Sequence, residues 1–294
     1  MTGMKGWNPY SFVHLAVATL RRWRHGPLKK MEPMWRLLGH CYRFALNHSG
    51  RSLTASSRIG PYGPFKLDGY FAFSSFEQWG DRHNAGFVAC IEACRDCQCV
   101  LDVGAHIGLV ALPMASVLAP NGRVFAFEPA HANHTYLSRH IELNGMQRTI
   151  TALELLVGED DRDEVAFFEQ EEVAGMNAVV IKKDAAAYHE TRRRQVTIDR
   201  FCQQQSLHPQ VIKIDVEGYE LEVLRGAAHV LRTLQPLVFL SVHPVPIQML
   251  GHSLDELRQL IENLGYQLLE VTTQQPVANI TMGEYLLQAI EGKS

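Results

Sequence analysis

The sequence predicts an α/β fold: a mostly parallel, seven-stranded sheet with helices on both faces, an antiparallel edge hairpin and a helical N-terminal extension. Three observations predict it. From residue 99 onward, apolar runs of strand length alternate with stretches of helical periodicity. The run Val100-Leu101-Asp102-Val103-Gly104-Ala105-His106-Ile107-Gly108 reads as a buried strand that stops in a tight glycine turn and enters a helix. And 294 residues, 46% hydrophobic and 20% charged, suffice for one large α/β domain with an extension, or for two small domains.

In chain order, residues 1–60 read as a basic, mainly helical extension, and 61–294 as the main domain. The cluster Gly60-Pro61-Tyr62-Gly63-Pro64 reads as a hinge. Residues 65–76 alternate apolar and polar side chains and predict a short hairpin; 79–95 predict a helix. Strands follow at 99–103, 123–127 and 149–156, with helices at 109–118 and 133–144 between them. An insertion over 159–197 predicts paired strands at 164–170 and 178–183, with 195–197 beside them, shaping an entrance or covering a sheet edge. Residues 210–215 form the next strand. The helix after it carries Leu221, Val223, Leu224, Ala227, Ala228 and Leu231 on one face. A strand at 237–242, a helix at 254–264 and two final strands at 266–271 and 284–290 complete the sheet.

Charge is distributed unevenly. Residues 1–60 carry ten Lys and Arg against one acid, a formal +9; residues 61–294 carry 18 basic against 30 acidic residues, a formal −12. That segment suits an anionic partner, a peripheral membrane contact through Phe12, Val13, Leu15, Ala16 and Leu20, or packing on the acidic body. No apolar run is long enough to span a bilayer and no secretory signal is evident, so a cytoplasmic protein is expected. Without a secretory signal, a disulfide framework is not expected from the six cysteines. Cys90, Cys94 and Cys97 have the spacing of an iron–sulfur motif. They fall on a helical stretch, however, and core packing explains them better.

The glycine pattern separates candidate cofactors. A dinucleotide site needs G-x-G-x-x-G against a pyrophosphate. Here the spacing is Gly104-x-x-x-Gly108, with Asp102 two residues before Gly104, and no Gly-Lys-Ser/Thr follows for a phosphate loop. A carboxylate at Asp102 repels a pyrophosphate and suits a cationic amino group. Glu128, twenty residues after Gly108 at the end of the next apolar run, is placed to hydrogen-bond ribose hydroxyls. These features fit S-adenosylmethionine, held by Asp102, Gly104, Ala105, His106, Gly108, Glu128 and Pro129, with Asp215 beside them. Ligands of open α/β sheets bind beyond the carboxyl ends of the strands. There Asp215, Glu217 and His243 are the candidates for holding a hydroxyl and removing its proton. His243 is the expected base, with Glu217 or Asp215 acting directly or orienting it. Lys213 reads as a strand residue paired with a carboxylate. The same group could ligate a divalent cation, but nothing in the sequence demands one, and no metal is expected.

These motifs resemble a known family. Val-Leu-Asp-Val-Gly-Ala-His-Ile-Gly, Val-Phe-Ala-Phe-Glu-Pro and Ile-Lys-Ile-Asp-Val-Glu-Gly-Tyr-Glu, with Val196-Thr197-Ile198-Asp199, resemble the FkbM family of S-adenosylmethionine-dependent methyltransferases over about residues 99–271. The resemblance implies a class I, Rossmann-like fold and O-methylation of a hydroxyl on a sugar, glycan or other natural product. It implies cofactor roles for Asp102, Gly104, Gly108 and Glu128. Residues 1–60 lie outside it. The basic N-terminus motivates an alternative, an RNA or other nucleic-acid methyltransferase. The Asp-Val-Glu-Gly turn argues against that, because its second carboxylate sits poorly beside phosphates, and no nucleic-acid partner is expected. A non-catalytic binding protein and a dehydrogenase fit the motifs less well.

Overall fold

The computed structural model of the chain describes residues 53–80, 86–179 and 188–290, with a few helical positions between 19 and 43. The basic segment lies largely outside the described residues, as do predicted strand positions 180–183. Two strands open the described chain, β1 (Thr54–Ile59) and β2 (Tyr62–Asp68), paired antiparallel across Gly60-Pro61. The hinge expected at residues 60–64 is therefore a hairpin turn, and the boundary drawn at 60/61 falls inside it. Phe65 and Leu67 enter the core, and Asn144 brackets Lys66 with two backbone hydrogen bonds of 2.9 and 2.8 Å.

The central sheet contains β3 (Cys99–Val103), β4 (Arg123–Phe127), β5 (Ile150–Leu153), β9 (Val211–Ile214), β10 (Leu237–Val242), β11 (Tyr266–Glu270) and β12 (Gly283–Ala289). Their order is β11-β12-β10-β9-β3-β4-β5, parallel except for β12, which runs antiparallel between β10 and β11. The expected edge hairpin is present, with its second strand inserted inward. Strand alternation splits the core into two layers. Leu101, Val103, Phe125, Ile212 and Leu240 face α4 (Ile198–Gln205), α5 (Glu220–Gly226), α6 (Ala228–Leu234) and α8 (Leu254–Asn263). Val100, Val124, Val211 and Phe239 face α1 (Phe87–Ala93), α2 (Ala111–Val117) and α3 (His131–Leu143). A short α7 (Pro244–Met249) follows β10. Among the described residues, no helix is long and apolar enough to cross a membrane.

Three expectations change. The strand predicted over 149–156 is two strands: β5 stays in the main sheet, and β6 (Leu156–Val157) joins β8 (His189–Val196) and β7 (Arg162–Glu169) in a separate sheet. The partner of β7 is β8; residue 178 contributes only a bridge to Phe168. The helix after β9 is broken at Ala227, and the Asp199 carboxylate accepts from His229 N and Val230 N at 2.8 Å, capping the second piece. Thr197 caps α4 in the same way through Arg200 N. The Val196–Asp199 motif thus sets two helix starts. Cys90, Cys94, Cys97, Cys99 and Cys202 are buried free thiols packed in the two core layers.

Candidate active site

A cavity of about 370 Å³ opens at the carboxyl ends of β3, β4, β9 and β10. Of the residues singled out in the sequence, Gly104, Ala105, His106, Glu128, Pro129, Asp215, Glu217 and His243 line it; Asp102 and Gly108 do not. The three-stranded sheet covers one side through Leu156, Val157 and Phe167, and the loop after β7 adds Met176 and Asn177. Trp79, Met282 and Glu284 border it as well.

At the β3–β4 end the main chain does the positioning. Gly104 and Ala105 both donate to Phe127 O at 2.9 Å. Gly104 has φ +82°, and a Cβ there would lie 1.8 Å from Asp215 O, so no side chain fits. Glu128 accepts from His106 N (2.7 Å), Ala130 N (3.0 Å) and Asn133 Nδ2 (3.2 Å). Its Oε2 carries one of those bonds, leaving acceptor capacity toward the cavity. Burial raises the Glu128 carboxyl to about 7 against those bonds. Burial, with the Lys213 cation, lowers His106 to about 4, and its Nε2 is buried without a hydrogen-bond partner.

Asp102 is paired inside the sheet. It is 0% exposed and sits opposite Lys213 in the β3–β9 register, with Lys213 Nζ 3.2 Å from Oδ1. Lys213 also donates to Gly104 O at 2.9 Å and lies 3.5 Å from Asp215. Burial opposes the lysine's charge, but Asp102, Asp215 and Glu284 hold its proton. The Asp102 carboxylate therefore anchors Lys213 beneath the glycine turn and is not on the cavity lining. Gly108 packs the turn: a Cβ there would lie 3.0 Å from Leu137.

At the β9–β10 end side chains hold one another. His243 Nδ1 lies 2.7 Å from Glu220 Oε1, while Nε2 faces Asp215 Oδ1 at 3.7 Å and Glu217 Oε1 at 3.6 Å. Glu217 stands at φ +52°, a left-handed turn conformation followed by Gly218 at φ +107°. Burial opposes charge on His243, yet the Glu220 bond and the Glu217 and Asp215 carboxylates raise it to about 9. Burial pushes Glu217 up to about 7 against the pull of His243. Ser241 Oγ donates to Glu284 Oε2 at 2.6 Å, bringing a further carboxylate to the rim. Glu220 and Glu284 were missed in the sequence. Glu220 follows Glu217 by three residues, at the start of α5 in a motif already quoted; Glu284 is set only by the Ser241 register across β12.

The donor set fits S-adenosylmethionine. Carboxylates border both ends of the cavity, matching a ligand with ribose hydroxyls at one end and cationic ammonium and sulfonium groups at the other. One comparison with known proteins shows the family. A model of the FkbM methyltransferase domain matches residues 102–268, more than half of the chain. No curated protein matches the chain in sequence. Among solved structures, the chain is similar to a methyltransferase FkbM from Methylobacillus flagellatus KT, at 21% identity and TM-score 0.42 over 66% of this chain. The match covers 44% of that protein, so the chain spans less than half its length. It is also similar to a precorrin-6y C5,15-methyltransferase from Geobacter metallireducens GS-15, at 14% identity and TM-score 0.40, covering 69% of this chain and 86% of that one. A third is an O-methyltransferase from Bacillus cereus in complex with SAH, at 12% identity and TM-score 0.38, covering 69% and 77%. With its domain matched from Asp102 to Leu268, the chain belongs to the FkbM family of S-adenosylmethionine-dependent methyltransferases.

Proposed function

We propose that this chain transfers a methyl group from S-adenosylmethionine to a hydroxyl of a sugar, glycan or other small natural product. The observation that carries this reading is that one cavity joins Glu128 and His106 to Asp215, Glu217 and His243. When bound, S-adenosylmethionine supplies an electrophilic methyl group on a sulfonium. Glu128 accepts from the ribose hydroxyls, held in place by His106 N, Ala130 N and Asn133. Asp215 and Glu284 compensate the ligand's positive charge. Asp215, Glu217 and His243 hold the acceptor oxygen and take up its proton as a group, since an alcohol is a poor nucleophile until deprotonated. Four carboxylates near this end disfavour a phosphate-bearing acceptor, which weighs against RNA.

The test incubates the full chain with S-adenosylmethionine carrying a labelled methyl group and panels of glycans, polyols and RNA, and maps the label by mass spectrometry. Label on a hydroxyl oxygen of a small acceptor is expected. Label on an amine or on RNA alone would replace the O-methylation reading.

A further inference from the structure

We propose that Asp215, Glu217 and His243 form the binding site of a divalent cation of the Mn²⁺ or Mg²⁺ kind, whose open coordination positions face the cavity and take the acceptor's hydroxyl oxygen. Its role rests on the methyl-transfer reading; its binding does not.

The geometry starts at Glu220. This carboxylate is fully buried, and its Oε1 accepts from Gly218 N at 3.1 Å while lying 2.7 Å from His243 Nδ1. Its Oε2 is buried with no hydrogen-bond partner. A buried carboxylate fixing one ring nitrogen is the arrangement that orients a metal-ligating histidine, because it sets the tautomer and turns the other nitrogen outward. Here the other nitrogen, Nε2, faces Asp215 and Glu217 at 3.7 and 3.6 Å. Those separations exceed hydrogen-bond distance. One ligand atom from each of the three side chains lies within 4.8 Å of the others, a grouping found at no other place among the described residues. Ligands about 2.1 Å from an octahedral ion stand roughly 3.0 Å apart when adjacent and about 4.2 Å when opposed, so the observed spacing suits one ion after small rotamer changes.

Neither the Asp215 nor the Glu217 carboxylate makes a hydrogen bond to the described residues. The nearby cation Lys213 is shared: it lies 3.2 Å from Asp102 and 3.5 Å from Asp215 and donates to Gly104 O, so its single charge serves two carboxylates. Asp215, Glu217 and Glu220 face a single imidazole, with Glu284 on the rim of the same cavity, an excess of carboxylates that a bound cation offsets. The buried, unpartnered Nε2 of His106 borders the same cavity. Two carboxylate oxygens and one imidazole nitrogen are a donor set for a hard or borderline divalent ion and not for one that needs thiolates. The ligands come from the ends of two adjacent strands, β9 and β10, whose pairing fixes their separation.

The experiment titrates MnCl₂ into the full chain after removal of metals with a chelator, and follows free Mn²⁺ by electron paramagnetic resonance. One ion per chain is expected, with affinity weakened at least tenfold by Glu217→Gln or Asp215→Asn and about ten- to a hundredfold by Glu220→Gln, which acts through His243. Circular dichroism identifies variants that fold, and either isosteric variant alone decides the matter. Mn²⁺ remaining free, or bound equally well by both folded ligand variants, would overturn the site. Calorimetry with S-adenosylhomocysteine on the same samples separates the two readings. Homocysteine-nucleoside binding without Mn²⁺ binding sinks the cation site alone. Mn²⁺ binding without it supports the cation site and sinks the methyl-donor assignment.

Discussion

The two ends of the cavity are built by different means. At the β3–β4 end, backbone amides of residues 104–106 and 130 do the holding, and Glu128 is fastened by two of them. At the β9–β10 end, Glu220 holds His243, which faces Asp215 and Glu217, while Ser241 holds Glu284. A site held by the main chain is fixed once the strands pair. A site held by side chains shares charge, so removing one member disturbs the rest. Lys213 sits between the two, touching Gly104 O from one end and Asp215 from the other.

The largest effect is expected where the ends meet. Lys213→Met leaves Asp102 fully buried with no compensating charge, and should cost roughly 3–5 kcal/mol of stability in urea unfolding. Adding Asp102→Leu should recover most of that loss, because a buried pair replaced by apolar side chains is close to neutral. A loss below about 1 kcal/mol for Lys213→Met would mean that the two ends are not joined through this lysine.

The same contrast governs what could be read from the sequence. β3, β4 and β10 occupy the residues their apolar runs predict, because strands buried on both faces leave continuous hydrophobic stretches bounded by turns. The placement of the glycine turn and Glu128 at the strand ends was legible for the same reason: it follows from position along one strand and its turn. The partner of Asp102 was not legible because it lies 111 residues away, and only the β3–β9 register puts Lys213 opposite it. Glu284 depends likewise on β12 inserting beside β10. The hairpin at residues 54–68 was missed because its turn residues also signal a hinge, and the serines and alanine of β1 carry little strand signal.

Glu128 offers a sharper test of the main-chain end. Its carboxyl stands at about 7 in the folded chain against an ordinary 4.5, so the folded state retains a proton that the unfolded state releases. Stability should therefore fall as pH rises from about 4.5 to about 7. Cofactor affinity should move the opposite way, weakening as pH drops through about 7, because the ionised carboxylate is the better acceptor for ribose hydroxyls. Glu128→Gln should flatten both trends and weaken cofactor binding about tenfold, read by calorimetry across pH. An unchanged affinity at every pH would detach Glu128 from the ribose.

The smallest effect is expected at the mouth. Met176 and Met282 are 67% and 64% exposed, and both border the cavity. Exposed flexible thioethers beside a binding cavity suit an acceptor with an apolar face, since burying a few methylene groups contributes on the order of 1 kcal/mol. Neither carries a group that could take up a proton or hold a charge. Met282→Ala should therefore raise the acceptor KM about threefold to tenfold and leave kcat unchanged, the signature of binding lost equally in ground and transition states. A matching fall in kcat would extend the side-chain network outward from Glu284 to its near neighbour in sequence, making the mouth part of the reacting end instead of its rim.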